Sequence, residues 1–270
     1  MTANHAKLTS RALVRVAGPD WRVFLQGLIS NDVESLQPGE MRFAGLLTPQ
    51  GRLLFDLFVI GGEEGCLLDV DAGRRQSLVE RLLIYRLRAR IEIAAVDGAV
   101  SALWNLAQPP PGWTADPRLA ALGFRGVDAP PPAGAQSLDE AAYEAFRLGL
   151  GVPDSARDAA PDKTYPIQAD MDLLNGIDFR KGCFVGQETT SRMKRRGGIR
   201  SRMLPIAFEG PAPPPGAEVL AGELRAGEVL TGGEGRAMAL LRLDRIEGAS
   251  LTVEGRPVRV DRPGWLMGAG

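Results

Sequence analysis

Histidine occurs once in the 270 residues, at His5, and cysteine twice, at Cys66 and Cys183. That count excludes a Ser-His-Asp triad and a multi-histidine zinc site. Two cysteines make no disulfide framework. They also cannot ligate an iron–sulfur cluster alone, since the usual set is about four thiolates. No metal held by this chain alone is therefore expected. Lysine is scarce too: Lys7, Lys163, Lys181 and Lys194 are the four among 32 basic residues. No apolar run approaches the roughly 20 residues of a membrane span. The N-terminus lacks the apolar core of a signal peptide. Together these absences predict a soluble, reduced, cytoplasmic protein with no membrane partner.

What is present is ordinary in amount and uneven in placement. Hydrophobic residues make up 44% and charged residues 24%, as in soluble globular proteins. The net charge is −1, which argues against a general polyanion binder. Yet Arg180 to Arg202 holds eight Lys/Arg against one Glu, a local +7 that leaves −8 for the rest. This stretch opens with Asp178-Phe179-Arg180-Lys181-Gly182-Cys183-Phe184-Val185-Gly186-Gln187-Glu188. Gly182 and Gly186 bracket a turn, because glycine tolerates dihedrals that other residues avoid. Cys183 lies in that turn beside Arg180 and Lys181, just before an expected helix start at Gln187. Cations and a helix N-terminus both favour a thiolate. Glu188 and Arg192 stand at the i,i+4 spacing of a helical ion pair. Cys66, on an alternating strand without an adjacent cation, reads as core.

Lys181-Gly182-Cys183-Phe184-Val185-Gly186-Gln187-Glu188 resembles the K-G-C-[FY]-x-G-Q-E motif of the YgfZ family, folate-binding relatives of the glycine-cleavage T-protein linked to iron–sulfur cluster assembly and repair. Further blocks are similar to the family. They are Gly18-Pro19-Asp20 with Phe24-Leu25-Gln26-Gly27-Leu28 and Asn31-Asp32-Val33, then Thr48-Pro49-Gln50-Gly51-Arg52 with Asp56-Leu57. Later come Arg147-Leu148-Gly149-Leu150-Gly151-Val152-Pro153 and Tyr165-Pro166-Ile167-Gln168.

In chain order, Leu13–Val16 alternates as a strand, and Gly18-Pro19-Asp20 stops it and offers Asp20 as a helix N-cap. A helix from Trp21 ends near Ser30-Asn31-Asp32. Strands follow at 41–47, 52–60 and 66–70, then a helix at about 74–88 with Leu78, Leu82, Leu83 and Leu87 on one face, and a strand at 90–96. The middle is broken by proline clusters at 109–111 and 130–132, and a helix follows over 138–148. An irregular loop is expected at 154–163. After a proline-rich linker at 209–216, short β runs with regular turns predict a small antiparallel barrel. The expected fold is α+β, with antiparallel sheets and helices; the resemblance implies the T-protein-like arrangement. Expected domains are 1–202, with a sub-domain break near 97–118, and the barrel at 203–270.

The resemblance implies a tetrahydrofolate-binding (or other reduced-folate-binding) accessory protein whose partners are iron–sulfur assembly machinery or client iron–sulfur proteins. It places folate against Asp56, Arg147, Gln168, Gly182, Gly186, Gln187, Glu188 and Arg192. It makes Cys183 the functional thiol, with Lys181 beside it. The role of Cys183 is open among thiol chemistry, cluster contact with a partner and shaping of the folate loop. A second reading is aminomethyl transfer. Two departures weigh against it: only Asp56 is kept of an acidic pair, and Gly149 stands where T-proteins carry a glutamate. A third is docking of nucleic acid or protein on Arg192 to Arg202, but no interleaved aromatics offer base stacking.

Overall fold

The computed structural model describes residues 2–267, with Arg196 described by its backbone alone. The first sheet is fully antiparallel, in the order Met41–Leu47, Leu53–Gly61, Gly65–Asp71, Arg11–Ala17 and Glu92–Val96. Helices α1 (Trp21–Gln26) and α2 (Arg75–Arg86) cover one face, where Val14, Leu57, Leu68 and Val70 meet Trp21, Leu25, Leu78 and Leu82. The interior strand Leu53–Gly61 is buried on its other face as well, which is why it reads as a nearly unbroken apolar run.

A second sheet runs Gln136–Leu138, Asn4–Lys7, Val100–Trp104, Phe124–Val127 and Thr114–Ala115, with one parallel pair at its Gln136–Leu138 edge. Helix α3 (Glu140–Gly149) packs Tyr143 and Phe146 on Trp104. Asp139 caps α3, its carboxylate accepting from Ala142 N at 2.9 Å. The expected irregular loop contains a single turn, α4 (Ser155–Asp158), capped by Asp154. Helix α5 (Gln187–Arg196) follows, starting where the sequence placed it. Six strands from Ser201–Ala207 to Arg256–Val260 close into a barrel, the last pairing with the first. The short helix α6 (Leu243–Ile246) lies against it. The architecture is thus α+β with a C-terminal barrel, as expected.

Local departures have simple causes. Asp20 makes no cap bond; its carboxylate instead accepts from Arg90 N and Nη2, both at 2.8 Å. Of the four leucines expected on one face of α2, Leu78 and Leu82 are buried, whereas Leu83 is exposed and Leu87, beyond the helix end, is 86% exposed. The first barrel strand is tied to the preceding turn by Arg202, whose Nη1 donates to Asp170 Oδ1 at 2.8 Å and Asp172 Oδ1 at 2.9 Å. Burial pushes the Asp170 carboxyl up to about 8 against the pull of Arg202. Between about pH 4, the ordinary carboxylate value, and pH 8, the folded chain then holds a proton that the unfolded chain lacks. That stability is complete below pH 4 and lost as pH rises through 8. Asp170→Asn keeps the acceptor for Arg202, so its melting temperature should be flatter between pH 5 and 9 than the wild type's. Parallel slopes would show that Asp170 does not titrate there.

Candidate functional site

The cysteine loop is held by elements far away in sequence. Its entry is fixed by Asp178 N donating to Ser30 O at 3.0 Å, and by Arg180 N donating to Asp178 Oδ1 at 2.7 Å. The Lys181 side chain then turns inward. Its Nζ donates to the carbonyls of Gln26 at 2.9 Å, Ile29 at 2.7 Å and Asn31 at 2.8 Å. Those carbonyls lie at and just beyond the end of α1, where a helix leaves acceptors without intrahelical donors. Burial lowers this ammonium to about 8, while Asp32, Asp178 and Glu34 oppose the shift. Phe184 is buried beside Leu47 and Leu53, and Val185 N donates to Gly27 O at 3.2 Å.

Gly186 closes the loop at φ +81°, and a Cβ there would lie 2.6 Å from Thr48 O. Gly51, at φ +82°, faces it: its own Cβ would be 3.1 Å from Gly186 O and 2.9 Å from Thr189 Cβ. The two glycines let the 48–51 turn and the cysteine loop interlock. Gly182 is different, with open space around it and no positive φ, so the bracket of two obligatory glycines reduces to one. Cys183 stands exposed between these anchors. Cys66 is buried on Gly65–Asp71, and burial pushes its thiol up to about 12.

Three expectations for this loop need correction. Lys181 is no free amine beside the thiol, because all three donors are taken by carbonyls. The Arg180 side chain is 94% exposed, and its one acidic neighbour among the described residues is Asp178 at 3.7 Å. Glu188 and Arg192 form no ion pair among the described residues; both face solvent, since neither is drawn into the packed side of α5. Instead Lys194 reaches Asp172 at 3.1 Å. Gln187 is half-buried and opens α5 directly after the left-handed Gly186.

The residues assigned to folate are not brought together. Asp56 and Arg147 border one central cavity, but its free volume is about 20 Å³. Gln168 lies elsewhere, its Oε1 accepting from Tyr165 N at 2.8 Å within a turn. The cysteine loop borders a separate, open groove of about 740 Å³ lined by Asn31, Arg42, Phe43 and Asp178 to Arg180. Ligand pockets for drug-sized molecules run from about 300 Å³. A reduced folate therefore does not fit among Asp56, Arg147 and their neighbours. Burial pushes the Asp56 carboxyl up, against Arg11 at 3.2 Å. Arg147 is spent on Glu144 at 2.7 Å and Val152 O at 2.5 Å. Among the described residues, no three His, Cys, Asp or Glu side chains gather as a metal site.

Comparison with known proteins places the chain. The family described as CAF17, C-terminal beta-barrel domain, matches residues 200–268. The human protein named iron-sulfur cluster assembly factor IBA57, mitochondrial, is 32% identical over 283 residues, covering 90% of this chain and 78% of that protein. This chain belongs to the IBA57 family. The IBA57 homolog of Neurospora crassa is 34% identical over 245 residues, and that of Mycosarcoma maydis 35% over 239. The matches span 56% and 59% of those two fungal proteins. These relatives carry the name IBA57 where the motif pointed to YgfZ, and cluster assembly is what the two readings share. The IBA57 names also correct the cytoplasmic expectation. They are mitochondrial proteins, and reduced cysteines without a membrane-spanning run distinguish neither compartment. No helix among the described residues is long and apolar enough to cross a membrane. In fold, aminomethyltransferase T of the Bartonella henselae glycine cleavage system superposes with a TM-score of 0.79 at 19% identity, covering 98% of this chain and 86% of that one. IBA57 membership thus comes with a T-protein fold whose centre is filled.

Proposed function

We propose that this chain serves iron–sulfur cluster assembly by presenting the Cys183 thiol, on a braced loop, to a partner protein that carries or receives the cluster. One observation carries the reading. Cys183 is exposed while Lys181 and Phe184 on either side are buried and Gly186 is locked against Thr48. A thiol built only into packing would be inside, as Cys66 is. One exposed thiol is short of the roughly four thiolates a cluster takes, so the remaining ligands come from the partner. The cluster is cargo, not a resident group. Exposed Arg192 and Arg195 on α5 give this face the charge to attract an anionic partner surface. Folate and aminomethyl transfer rank below this reading because of the 20 Å³ centre.

At neutral pH an alkylating reagent should label Cys183 first and leave Cys66 unmodified until the chain unfolds. Cys183→Ser should shift stability by no more than about 0.5 kcal/mol, as exposed substitutions do. The same variant should not restore iron–sulfur enzyme activity in cells lacking the protein, whereas Cys66→Ala should restore it wherever it folds. Full rescue by Cys183→Ser would end the proposal.

A further inference from the structure

The middle of the molecule is ionic where a domain core is ordinarily apolar. Phe58 is 2% exposed on the inner face of the first sheet. Three guanidiniums stand over its ring, with Arg125 at 3.9 Å, Arg118 at 4.9 Å and Arg11 at 5.4 Å from the centroid. Flat cations thus occupy the aromatic face that a flat ligand ring would need. They are also paired. Asp69, directly cross-strand from Phe58, accepts from Arg11 Nε at 2.6 Å and from Arg125 Nη2 at 2.5 Å. Asp116 accepts from Arg118 Nε at 3.0 Å and Nη2 at 2.8 Å, and lies 3.8 Å from Arg125.

The partners come from every part of the fold. Arg11 and Asp69 belong to the first sheet and Arg125 to the second. Arg118 Nη2 reaches the Tyr143 hydroxyl on α3 at 3.2 Å. Arg147, also on α3, lies 3.7 Å from Asp158, whose Oδ1 accepts from Thr231 N in the barrel at 3.1 Å. One buried donor here, Arg125 Nε, lacks an acceptor among the described residues. The remaining 20 Å³ is room for about one water, not for a bicyclic ring.

We propose that this cluster is an ionic keystone filling the middle of the fold: it joins both sheets to α3, from which Arg147 and Asp158 carry the tie on to the barrel, and it admits no pteridine. The inference is independent of the role given to Cys183. It is tested on the full chain by calorimetric titration with 5-formyltetrahydrofolate and by melting Arg125→Met and Arg125→Lys. A keystone gives no saturable heat at millimolar ligand. It also gives a fall in melting temperature of roughly 10 °C for Arg125→Met, from breaking a buried pair in a domain of this size. Lysine keeps the charge but not the forked donors, so its fall is smaller but clear, and it reads the same effect if the methionine variant does not fold. A ligand site behaves in the opposite way, because groups poised for a ligand are held at a cost in stability and their removal is neutral or stabilising. Saturable folate binding to the wild type overturns the proposal. So do melting temperatures of both variants within about 2 °C of the wild type.

Discussion

Asp69→Ala should melt roughly 15 °C below the wild type. Among the described residues its carboxylate is the sole acidic partner of Arg125 within 3 Å and the closest one of Arg11, and all three side chains are buried. Removing one partner of a buried pair costs about 3–5 kcal/mol, because the other charge is left without solvent or counter-charge. Asp69 serves two buried guanidiniums at once, and its loss leaves Arg11 to Asp56 at 3.2 Å and Arg125 to Asp116 at 3.8 Å, against a total stability of about 5–15 kcal/mol for a typical domain. The contrasting variant is Asp56→Asn. Asp56 accepts one bond, at 3.2 Å from Arg11, and burial already disfavours its charge. Asparagine keeps an acceptor there, so the loss should stay near about 1 kcal/mol. Thermal and urea melts of the two variants side by side decide the matter. Equal losses would mean that the network is not centred on Asp69.

Gly186→Ala should cost about 3 kcal/mol and unseat the cysteine loop. Part of that is the left-handed backbone at φ +81°, which an L residue adopts at a cost of about 1–2 kcal/mol. The rest is collision: the added Cβ would meet Thr48 O at 2.6 Å and Gly51 Cα at 2.9 Å, backbone atoms that cannot swing aside. Gly182→Ala is the control. It meets nothing within 4 Å and needs no positive φ, so its stability should stay within about 0.5 kcal/mol of the wild type. Denaturant melts test both. In cells, Gly186→Ala should also fail to support iron–sulfur enzyme activity even at temperatures where it is folded. Matching melts for the two alanine variants would show that the loop does not lean on the 48–51 turn.

Periodicity made the scaffold legible. Met41–Leu47 and the start of α5 at Gln187 lie where alternation and the glycine turn put them, and Cys66 is buried as an apolar strand position requires. The motif blocks were legible as a group, and the structure explains why: Gln26, Gly27, Asn31 and Thr48 are the surface on which the cysteine loop sits. The central cluster was not legible. Arg11, Asp69 and Arg125 occupy alternating strand positions that look like the solvent half of a sheet, until a second layer covers that face. The available hint was Leu53–Gly61, too apolar for a strand with one wet side, with Asp56 in its middle. Lys181 misled for another reason. A long flexible side chain can point either way from a loop, and neighbours in sequence do not tell whether its charge serves the adjacent thiol or a distant carbonyl.

The strand Asn4–Lys7 pairs with Val100–Trp104 and Gln136–Leu138, while Arg11–Ala17 just after it belongs to the other sheet. During synthesis its partners emerge on the order of 100 residues later, which at about 5–20 residues per second is roughly 5–20 s. The first sheet closes mostly from nearby segments and can form ahead of it. A nascent chain therefore spends seconds with one sheet nearly complete and a four-residue strand unpaired on both edges. Such long-range closure slows folding relative to local pairing, and this half-assembled species is the one a chaperone would encounter.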